Sequence, residues 1–490
     1  MKNIKGIISF FLAIMMLASL VGCGGDSSGA DTTKYEKISM YLIDEKPRDY
    51  DEVLARVNEK LKASINTEVE VKWIAPGDAS KKYQLLLQSG EPIDLIYSTT
   101  WTDYTGCAQK GGFAELDELL PKYAPKLYEK LNKEAIDCLL VDGKLYSVPA
   151  NEPSISPTGY AVRGDLMDKY GIESIDDFED FWAYLDAVKS GEDMIPYNCN
   201  AGDALMSTYL REKGWNSGKN SFVYYKYDDI RDTKYLWNVP VFKDYLKLTQ
   251  EGFKKGFWSK DILMSKNTAQ VNFENGVSAA AILGLKNFEA TYLKLQEIHP
   301  EWDIRWYIAG EQYPDIINQY GGMSIGASSK NPERAMMVLE QICNDQELSE
   351  LLMYGIKGKH FDKDEDGNLV LLDQDGFTAD EAGNWGFTQQ EYILKMSDGW
   401  SEKNKIEEDR FKVAEYSPLG SFFFNTETVV NEISAITNVS KQYATLVIWG
   451  TVDLESGYNE LMKQLSIAGL EKVENEYITQ VNKYFEENGK

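Results

Sequence analysis

Two hydrophobic periods alternate along the first quarter of the chain. A period of two, which is typical of strands, runs through residues 37–43 and 68–74, and a short apolar run follows at 93–97. Between these segments, residues 49–61 and 83–89 place their apolar side chains on one helical face. The order strand, helix, strand, helix, strand predicts an α/β fold with a parallel, doubly wound sheet.

Polar side chains and an indole follow the third predicted strand. In doubly wound sheets a ligand binds beyond the carboxyl ends of the strands, and this strand ends at Thr99, Thr100 and Trp101. We expect Trp101 either to be a stacking platform for a ligand or to pack beneath a loop. Thr99 and Thr100 either bind ligand hydroxyl groups or cap the next helix, and capping is the commoner use.

The periodicity changes after residue 150, where a second lobe is predicted. Proline density around 149–157 indicates a stiff crossover. Farther along, a strand of small residues ends at Gly284, which permits close approach of a ligand or of a packed helix. The last third of the chain, from residue 426, reads as mostly helical.

We predict two lobes, each built from two separate stretches of the chain. The first lobe comprises residues 34–150 and 285–345. The second comprises residues 151–284 and 346–490.

The amino terminus has the pattern of a lipoprotein signal. Lys2 and Lys5 precede an apolar run at 7–21, and a small residue comes directly before Cys23. We predict that residues 1–22 are removed as a signal peptide, that Cys23 is lipidated, and that residues 23–33 form a flexible tether. The alternative is an ordinary signal anchor with a chance cysteine.

Charge excludes two classes of partner. The chain has 78 acidic and 51 basic residues and a net charge of -27. A field of this sign repels phosphate backbones and anionic lipid surfaces, so we expect neither nucleic-acid binding nor electrostatic membrane docking.

The remaining cysteines are far apart, without the close spacing of a redox or zinc motif. They allow three disulfide connectivities, but buried reduced thiols are the simpler interpretation in a chain of this size. These residues are Cys107, Cys138, Cys199 and Cys343.

One acidic segment matches a calcium loop. Asp362, Asp364 and Asp366 alternate before Gly367, and Asp373 takes the twelfth position. Oxygen ligands at alternate positions with a glycine at the turn suit a hard cation. Against calcium, the twelfth residue is not the longer Glu and no flanking helix pair is visible, so a solvated turn is the alternative.

Two motifs of common enzymes are missing from the sequence. There are two histidines, His299 and His360, and neither lies in a zinc-protease motif; no P-loop is present. A glycosidase needs only two carboxylates, which so acidic a chain supplies.

Several short blocks, in a fixed order, resemble family 1 extracellular solute-binding proteins of ABC importers, and within them the oligosaccharide-binding lipoproteins of Gram-positive bacteria. The resemblance covers nearly all of the mature chain. Besides the segment before Cys23, the blocks are GEPIDL at 90–95, DGKLYSVP at 142–149, YAVR at 160–163, GGMSI at 321–325, SKNPERA at 329–335 and YGIKGKH at 354–360.

This resemblance implies a two-lobed, monomeric receptor of the periplasmic-binding-protein type, lipid-anchored on the extracellular face of the membrane. Such a receptor closes on a carbohydrate between its lobes and delivers it to the permease, without catalysis and without a required cofactor. The competing hypotheses are a secreted glycoside hydrolase, a surface adhesin that binds carbohydrate, and a receptor for another solute such as a peptide.

The resemblance also implies ligand contacts on both lobes, because sugar sites combine aromatic platforms with amides, carboxylates and hydroxyls. Asn151 and Glu152 would lie at the cleft edge, with a solvated hinge carboxylate as the alternative role of Glu152. Trp215 would be the platform of the second lobe. Phe423 and Asn425 belong to a segment that returns to the cleft, in which at least one phenylalanine is expected in the core.

Overall fold

The structure is a computed structural model, and it describes most of the 490 residues. The described residues are 31–75, 78–150, 155–217, 223–317, 321–378, 386–397, 399–420 and 422–487. The predicted signal peptide and lipidated Cys23 lie outside them. In the described part of the chain no helix is both long and apolar enough to cross a lipid bilayer.

Seventeen strands are present among the described residues. They are β1 (Glu36–Ile43), β2 (Thr67–Ile74), β3 (Leu95–Thr99), β4 (Leu140–Val141), β5 (Lys144–Leu145), β6 (Ser147–Pro149), β7 (Thr158–Arg163), β8 (Trp215–Ser217), β9 (Val223–Lys226), β10 (Asp229–Tyr235), β11 (Ala280–Gly284), β12 (Ile304–Ile308), β13 (Ile316–Ile317), β14 (Gly321–Ser324), β15 (Phe361–Lys363), β16 (Leu369–Leu371) and β17 (Glu415–Tyr416).

The α-helices lie between these strands and fill the carboxyl-terminal region. They are α1 (Tyr50–Ile65), α2 (Ala79–Gln88), α3 (Tyr104–Gln109), α4 (Leu119–Tyr123), α5 (Pro125–Lys130), α6 (Lys133–Cys138), α7 (Gly164–Tyr170), α8 (Phe178–Gly191), α9 (Leu205–Glu212), α10 (Phe242–Lys255), α11 (Ala269–Glu274), α12 (Leu285–Ile298), α13 (Pro332–Asn344), α14 (Gln346–Tyr354), α15 (Lys403–Phe411), α16 (Val430–Val439), α17 (Thr445–Ile448), α18 (Leu454–Ile467) and α19 (Leu470–Glu487).

A five-stranded sheet in the order β2-β1-β3-β14-β6 forms the first unit. β1 pairs in parallel with β2 and β3, whereas β14 runs antiparallel to both β3 and β6. Helix α1 covers the sheet because Val53, Val57 and Leu61, each four residues apart, are all buried. The strand-helix-strand order predicted from periodicity is confirmed for this unit.

The second unit contains a smaller sheet in the order β11-β7-β12, in which both neighbours run antiparallel to the central β7. The two-lobed α/β class is confirmed, but this sheet is antiparallel rather than doubly wound. Helices α8 to α12 and the carboxyl-terminal α16 to α19 belong to the same hydrophobic core.

The hydrophobic cores give different lobe boundaries from those predicted at 285 and 346. β12 pairs with β7, and Leu285 and Phe288 belong to the second core, so residues 285–309 lie in the second unit. Residues 346–356 pack into the first core instead. The packing partner of each segment lies far away in the sequence, so the lobe to which the segment belongs could not be derived from local pattern.

As far as the described residues show, the chain passes between the units in three places: between β6 and β7, between β12 and β14, and between Met396 and Trp400. Multiple connections restrict the relative motion of two units to a hinge. The four cysteines of the described chain are free thiols, and Cys107, Cys199 and Cys343 are buried, in agreement with the simpler of the two interpretations.

Candidate functional site

The carboxyl edge of the five-stranded sheet lies where the two units join. β1 and β3 end at this edge, and the pairing of Gly321 with Thr99 and of Gly322 with Pro149 brings the start of β14 and the end of β6 to the same place. Two of the three connections therefore leave from the edge where such sheets bind ligands.

Trp101 is exposed at this edge. It lies in a single 3₁₀ turn, Thr100–Thr102, that directly follows β3, and its side chain is 51% exposed. The Thr102 hydroxyl closes the turn, because it accepts from the Thr99 N–H (3.0 Å) and donates to the Thr99 carbonyl (2.9 Å). The indole does not pack beneath a loop, and its exposure agrees with a platform; contact with a ligand stays a prediction.

Thr99 is not available to a ligand. Its side chain is fully buried and shares a hydrogen bond with the Tyr97 hydroxyl, so the prediction that it binds a ligand hydroxyl is wrong. The side chain of Thr100 and both Asn151 and Glu152 lie outside the described part of the structure.

Trp215 lies in the core of the second unit and is only 3% exposed, so the prediction of a second platform at this residue is wrong. It begins β8 and pairs with Lys226 on β9, and the Lys234 ammonium lies 5.9 Å from the centre of its ring. Successive side chains of a strand point to opposite faces, and the sequence pattern alone did not resolve which face of β8 is buried.

Gly284 ends β11 opposite Thr158, at the edge of the second sheet where the chain enters from the first unit. A methyl group added at its Cα would meet nothing nearer than the Pro157 carbonyl, at 3.9 Å. The position therefore has free space beside it, and its role in ligand binding stays a prediction.

The segment after residue 421 divides between core and surface. Phe422 is buried against Tyr477 and Tyr484, whereas Phe423 is 43% exposed. The Asn425 side-chain oxygen accepts from the Glu427 N–H at 2.9 Å, and its backbone bonds to Gln480. One phenylalanine in the core is confirmed, and Phe423 is the exposed member of the group.

The four aspartates of the predicted calcium loop do not converge. Asp364 accepts from the N–H groups of Asp366 and Asn368 within the turn between β15 and β16, and Asp373 pairs with Arg48 at 2.7 Å. Asp362 lies 3.7 Å from Lys357. Among the described residues no group of three or more acidic, histidine or cysteine side chains is arranged to hold a metal. Calcium binding at this turn stays a prediction, with the solvated turn as its alternative.

A cavity that the sequence did not indicate lies between α6 of the first unit and the β17 segment of the second. Its volume is 480 Å³, and its walls include Glu134, Asp137, Glu415, Tyr416 and Tyr484. Burial raises the pKa of Tyr416 to about 12, so its hydroxyl stays protonated and can donate a hydrogen bond.

A second cavity, of 500 Å³, lies between residues 393–397 and α15. Lys403 pairs with Glu289 at 2.7 Å, and burial raises the pKa of the neighbouring Glu407 carboxyl. Trp400 forms part of the wall, and its backbone N–H donates to Glu289. Three distant segments of the chain form this cavity, so no local signal could have revealed it.

Both cavities combine aromatic rings with carboxylates, amides and hydroxyls. That mixture suits an uncharged polar molecule with many hydroxyl groups and disfavours an anion.

Comparison with known proteins gives relatives over the whole chain. A carbohydrate ABC transporter substrate-binding protein of Streptococcus pneumoniae serotype 4 is 29% identical over 504 residues, with 99% of each chain covered. The polygalacturonan/rhamnogalacturonan-binding protein YtcQ of Bacillus subtilis is 20% identical over 75% of this chain and 76% of its own length. A family model described as a domain of unknown function, DUF3502, matches residues 418–486.

The fold is shared with solved structures of the same kind. The N-glycan transport solute binding protein NgtS of Streptococcus pneumoniae matches with a TM-score of 0.78 and 26% identity, over 92% of this chain and 99% of that one. Its complex with Man5GlcNAc matches with a TM-score of 0.65, 26% identity and coverage of 93% and 99%. The chain is therefore similar, over its full length in both sequence and fold, to substrate-binding proteins of ABC transporters.

Proposed function

We propose that this chain captures an oligosaccharide in the cleft between its units and delivers it to the permease of an ABC importer. The observation that carries the proposal is the exposed indole of Trp101 at the edge where the units join. Sugar rings offer apolar faces that stack on indoles, and their hydroxyls bond to the acids beside them. Asp44 and Glu45 follow β1, the neighbour of β3, and are at the same edge.

A neutral glycan of the N-glycan class is the cargo that the relatives and the charge favour together. NgtS, which is similar over nearly the whole chain, was solved with Man1GlcNAc and with Man5GlcNAc. YtcQ is named for polygalacturonan, whose uronate groups carry negative charge. A chain with a net charge of -27 and acidic cavity walls repels such a polymer.

Binding is proposed to work by a shift between open and closed arrangements of the two units. Three connections allow a hinge motion, and a glycan that contacts both units stabilises the closed arrangement by its differential affinity. Release to the permease then requires only that the equilibrium be reversed. The sugar leaves chemically unchanged, in contrast to the alternative of a secreted glycoside hydrolase.

Attachment to the membrane through Cys23 is part of the proposal. The basic start, the apolar run and the small residue before the cysteine support processing and lipidation there. We expect mass spectrometry of the mature protein to find an acylated cysteine at its amino terminus. A Cys23→Ser variant should appear in the medium, whereas Cys138→Ser should stay with the membrane.

Titration calorimetry of the chain without its first 23 residues tests the cargo. We expect saturable binding of Man1GlcNAc or Man5GlcNAc, no binding of polygalacturonate, and a smaller radius of gyration in solution scattering when the glycan is bound. Mass spectrometry of the recovered sugar should find it intact. Shortened glycans would favour the hydrolase, and a protein that binds neither glycan but binds peptides would overturn the proposal.

A further inference from the structure

The hairpin segment that carries the acidic motif is attached to the loop after β1. Asp49, between this loop and α1, donates its backbone N–H to the Gly376 carbonyl at 3.0 Å. Its carboxylate Oδ2 accepts from His360 Nε2 at 3.2 Å and lies 2.8 Å from Lys359 Nζ. The segment 355–378 therefore contacts the first unit at the point where β1 reaches the ligand edge.

His360 is the buried centre of this attachment. Its side chain is 0% exposed, and Nδ1 accepts from the Ile356 N–H at 2.9 Å. The ring therefore carries its proton on Nε2 and donates it to Asp49. Gly355 has a φ of +80°, and a Cβ there would clash with His360 Nδ1, so glycine is required beside this ring.

A column of rings extends from His360 into the sheet. Phe377 stacks on His360 with ring centres 5.4 Å apart, and Tyr50 stacks on Phe377 at 6.2 Å. Trp73, near the end of β2, meets Tyr50 edge to face at 4.8 Å. The column links the hairpin segment to α1 and to a second strand that ends at the ligand edge.

Ion pairs surround the buried contact. Arg48 pairs with Asp373 at 2.7 Å, and Lys359 pairs with Glu52 at 2.7 Å. Hydrogen bonds from Arg48, Lys359 and His360 hold the pKa of Asp49 well below its usual range, so its carboxylate stays ionised at neutral pH. The YGIKGKH block and Asp373 thus have a shared structural role, because both attach the hairpin segment to the residues that precede α1.

We propose that His360 is a positioning residue for ligand binding: through Asp49 it fixes the loop 44–48, whose acidic side chains bind the sugar hydroxyls. This proposal rests on the proposed function, since the loop needs precise placement only if a ligand contacts it. His360 itself does not face the cleft. It acts by limiting the conformations that Asp44 and Glu45 can adopt before the ligand arrives.

Two substitutions and a control test the proposal. His360→Leu removes both hydrogen bonds, whereas His360→Gln keeps a side-chain N–H that can reach Asp49. Asp366→Asn alters the exposed tip of the same hairpin and serves as the control. Hydrogen exchange of the ligand-free proteins is measured over residues 44–52, and each protein is titrated with Man5GlcNAc.

We expect His360→Leu to speed exchange at 44–52 and to weaken Man5GlcNAc binding about tenfold, within the range for residues that act on a site without touching it. His360→Gln should restore most of both properties, and Asp366→Asn should change neither. Unchanged exchange in His360→Leu, or faster exchange with unchanged affinity, would overturn the proposal. So would equal losses in the Leu and Gln variants.

If His360→Leu does not fold, Arg48→Gln removes the exposed tie to Asp373 and should speed exchange at 44–52 to a smaller extent. Normal exchange in that variant would contradict the positioning role. A wild-type protein that binds no glycan refutes the proposed function and with it the link to ligand binding. Exchange at 44–52 would still show, in that case, whether His360 fixes the loop.

Discussion

The two units hold their carboxylates in different ways. In the first unit Asp49 lies at the rim and is held by three cationic or N–H donors, which lower its pKa. In the second unit Glu212 is buried and Asp203 is partly buried; Tyr160 donates to Glu212, Tyr197 donates to Asp203, and loss of hydration raises both pKa values. The comparison teaches that an aromatic core can take carboxylates out of water because its hydroxyl groups replace part of the lost hydration.

The composition of the cores explains this difference. Within the described residues, the fully packed tryptophans belong to the core of the second unit, whereas the core of the first is mainly aliphatic. Aromatic side chains with a polar tip can pack and donate at once. The buried tryptophans are Trp182, Trp215, Trp237, Trp258, Trp306 and Trp449.

The largest expected effect is at Asp315, on the connection between β12 and β14. Its carboxylate is 3% exposed and bonds to Arg211 at 2.9 Å and to Arg410 at 2.6 Å. Asp315→Ala leaves the guanidinium groups of the buried Arg410 and the partly buried Arg211 without this carboxylate, so we expect the free energy of unfolding of the second unit to fall by about 3–5 kcal/mol. Scanning calorimetry should show that transition at a lower temperature.

Asp228→Ala is the matched control for Asp315, since Asp228 is 70% exposed and pairs with Lys226 on the same unit. Surface pairs contribute about 0–1 kcal/mol. Equal effects of the two substitutions would show that burial does not distinguish these ion pairs.

The pH dependence of stability should differ in sign between the units. Burial raises the pKa of Asp203 from 3.8 to about 6, so the folded state holds this proton more tightly than the unfolded state. The associated stability is complete below pH 3.8 and is lost as the pH rises through 6, a loss of roughly 2–3 kcal/mol. Asparagine does not titrate, so the free energy of unfolding of Asp203→Asn should rise by about this much relative to that of the wild type between pH 4 and pH 7. Chemical denaturation at the two pH values measures this difference.

Asp49→Asn gives the opposite comparison. Because the pKa of Asp49 is lowered, its contribution is present above its unfolded pKa and is lost as the pH falls. The Asp49→Asn variant should therefore be less stable than the wild type at neutral pH, and this difference in the free energy of unfolding should become smaller at acid pH. If the free energy of unfolding of both variants, relative to the wild type, changed with pH in the same direction, the proposed difference between Asp49 and Asp203 would be wrong.

A substitution at Trp101 should change ligand affinity without changing stability. Its indole is 51% exposed, so Trp101→Ala should leave the melting temperature unchanged while Man5GlcNAc binding weakens by about 1–2 kcal/mol. Tyr128→Ala, at another exposed aromatic residue of the first unit, should change neither property. A drop in melting temperature with normal affinity would assign Trp101 to packing.

The smallest expected effect is that of calcium. Since Asp364 and Asp373 already bond within the chain, added calcium should not raise the melting temperature and a chelator should not lower it. Asp364→Asn should give the same response to calcium as the wild type. If calcium raised the melting temperature of the wild type and Asp364→Asn abolished that increase, the calcium hypothesis would be supported.

The strand end that carries the candidate site could be located from the sequence because it depends on local order, whereas ligand contact at Trp101 stays a prediction. The end of β3 and the turn that exposes Trp101 are set by neighbouring residues, so periodicity and fold class were sufficient to find them. Trp215 shows the limit, since a tryptophan in an exposed turn and one in a core strand look alike until their neighbours are known.

The lobe boundaries, the two cavities and the role of His360 could not be derived in this way. The pairing of β12 with β7 depends on residues far away in the sequence. Glu289 and Lys403 meet only because α12 and α15 pack near each other.

The sequence by itself determined which segments are helices or strands, which faces are apolar, and which family the short blocks resemble. Tertiary structure decided which strands pair, which aromatic rings stay exposed and which aspartates are already bonded. The physical reason is that periodicity reports the average polarity around a residue, whereas pairing depends on the free energy of contacts between distant segments.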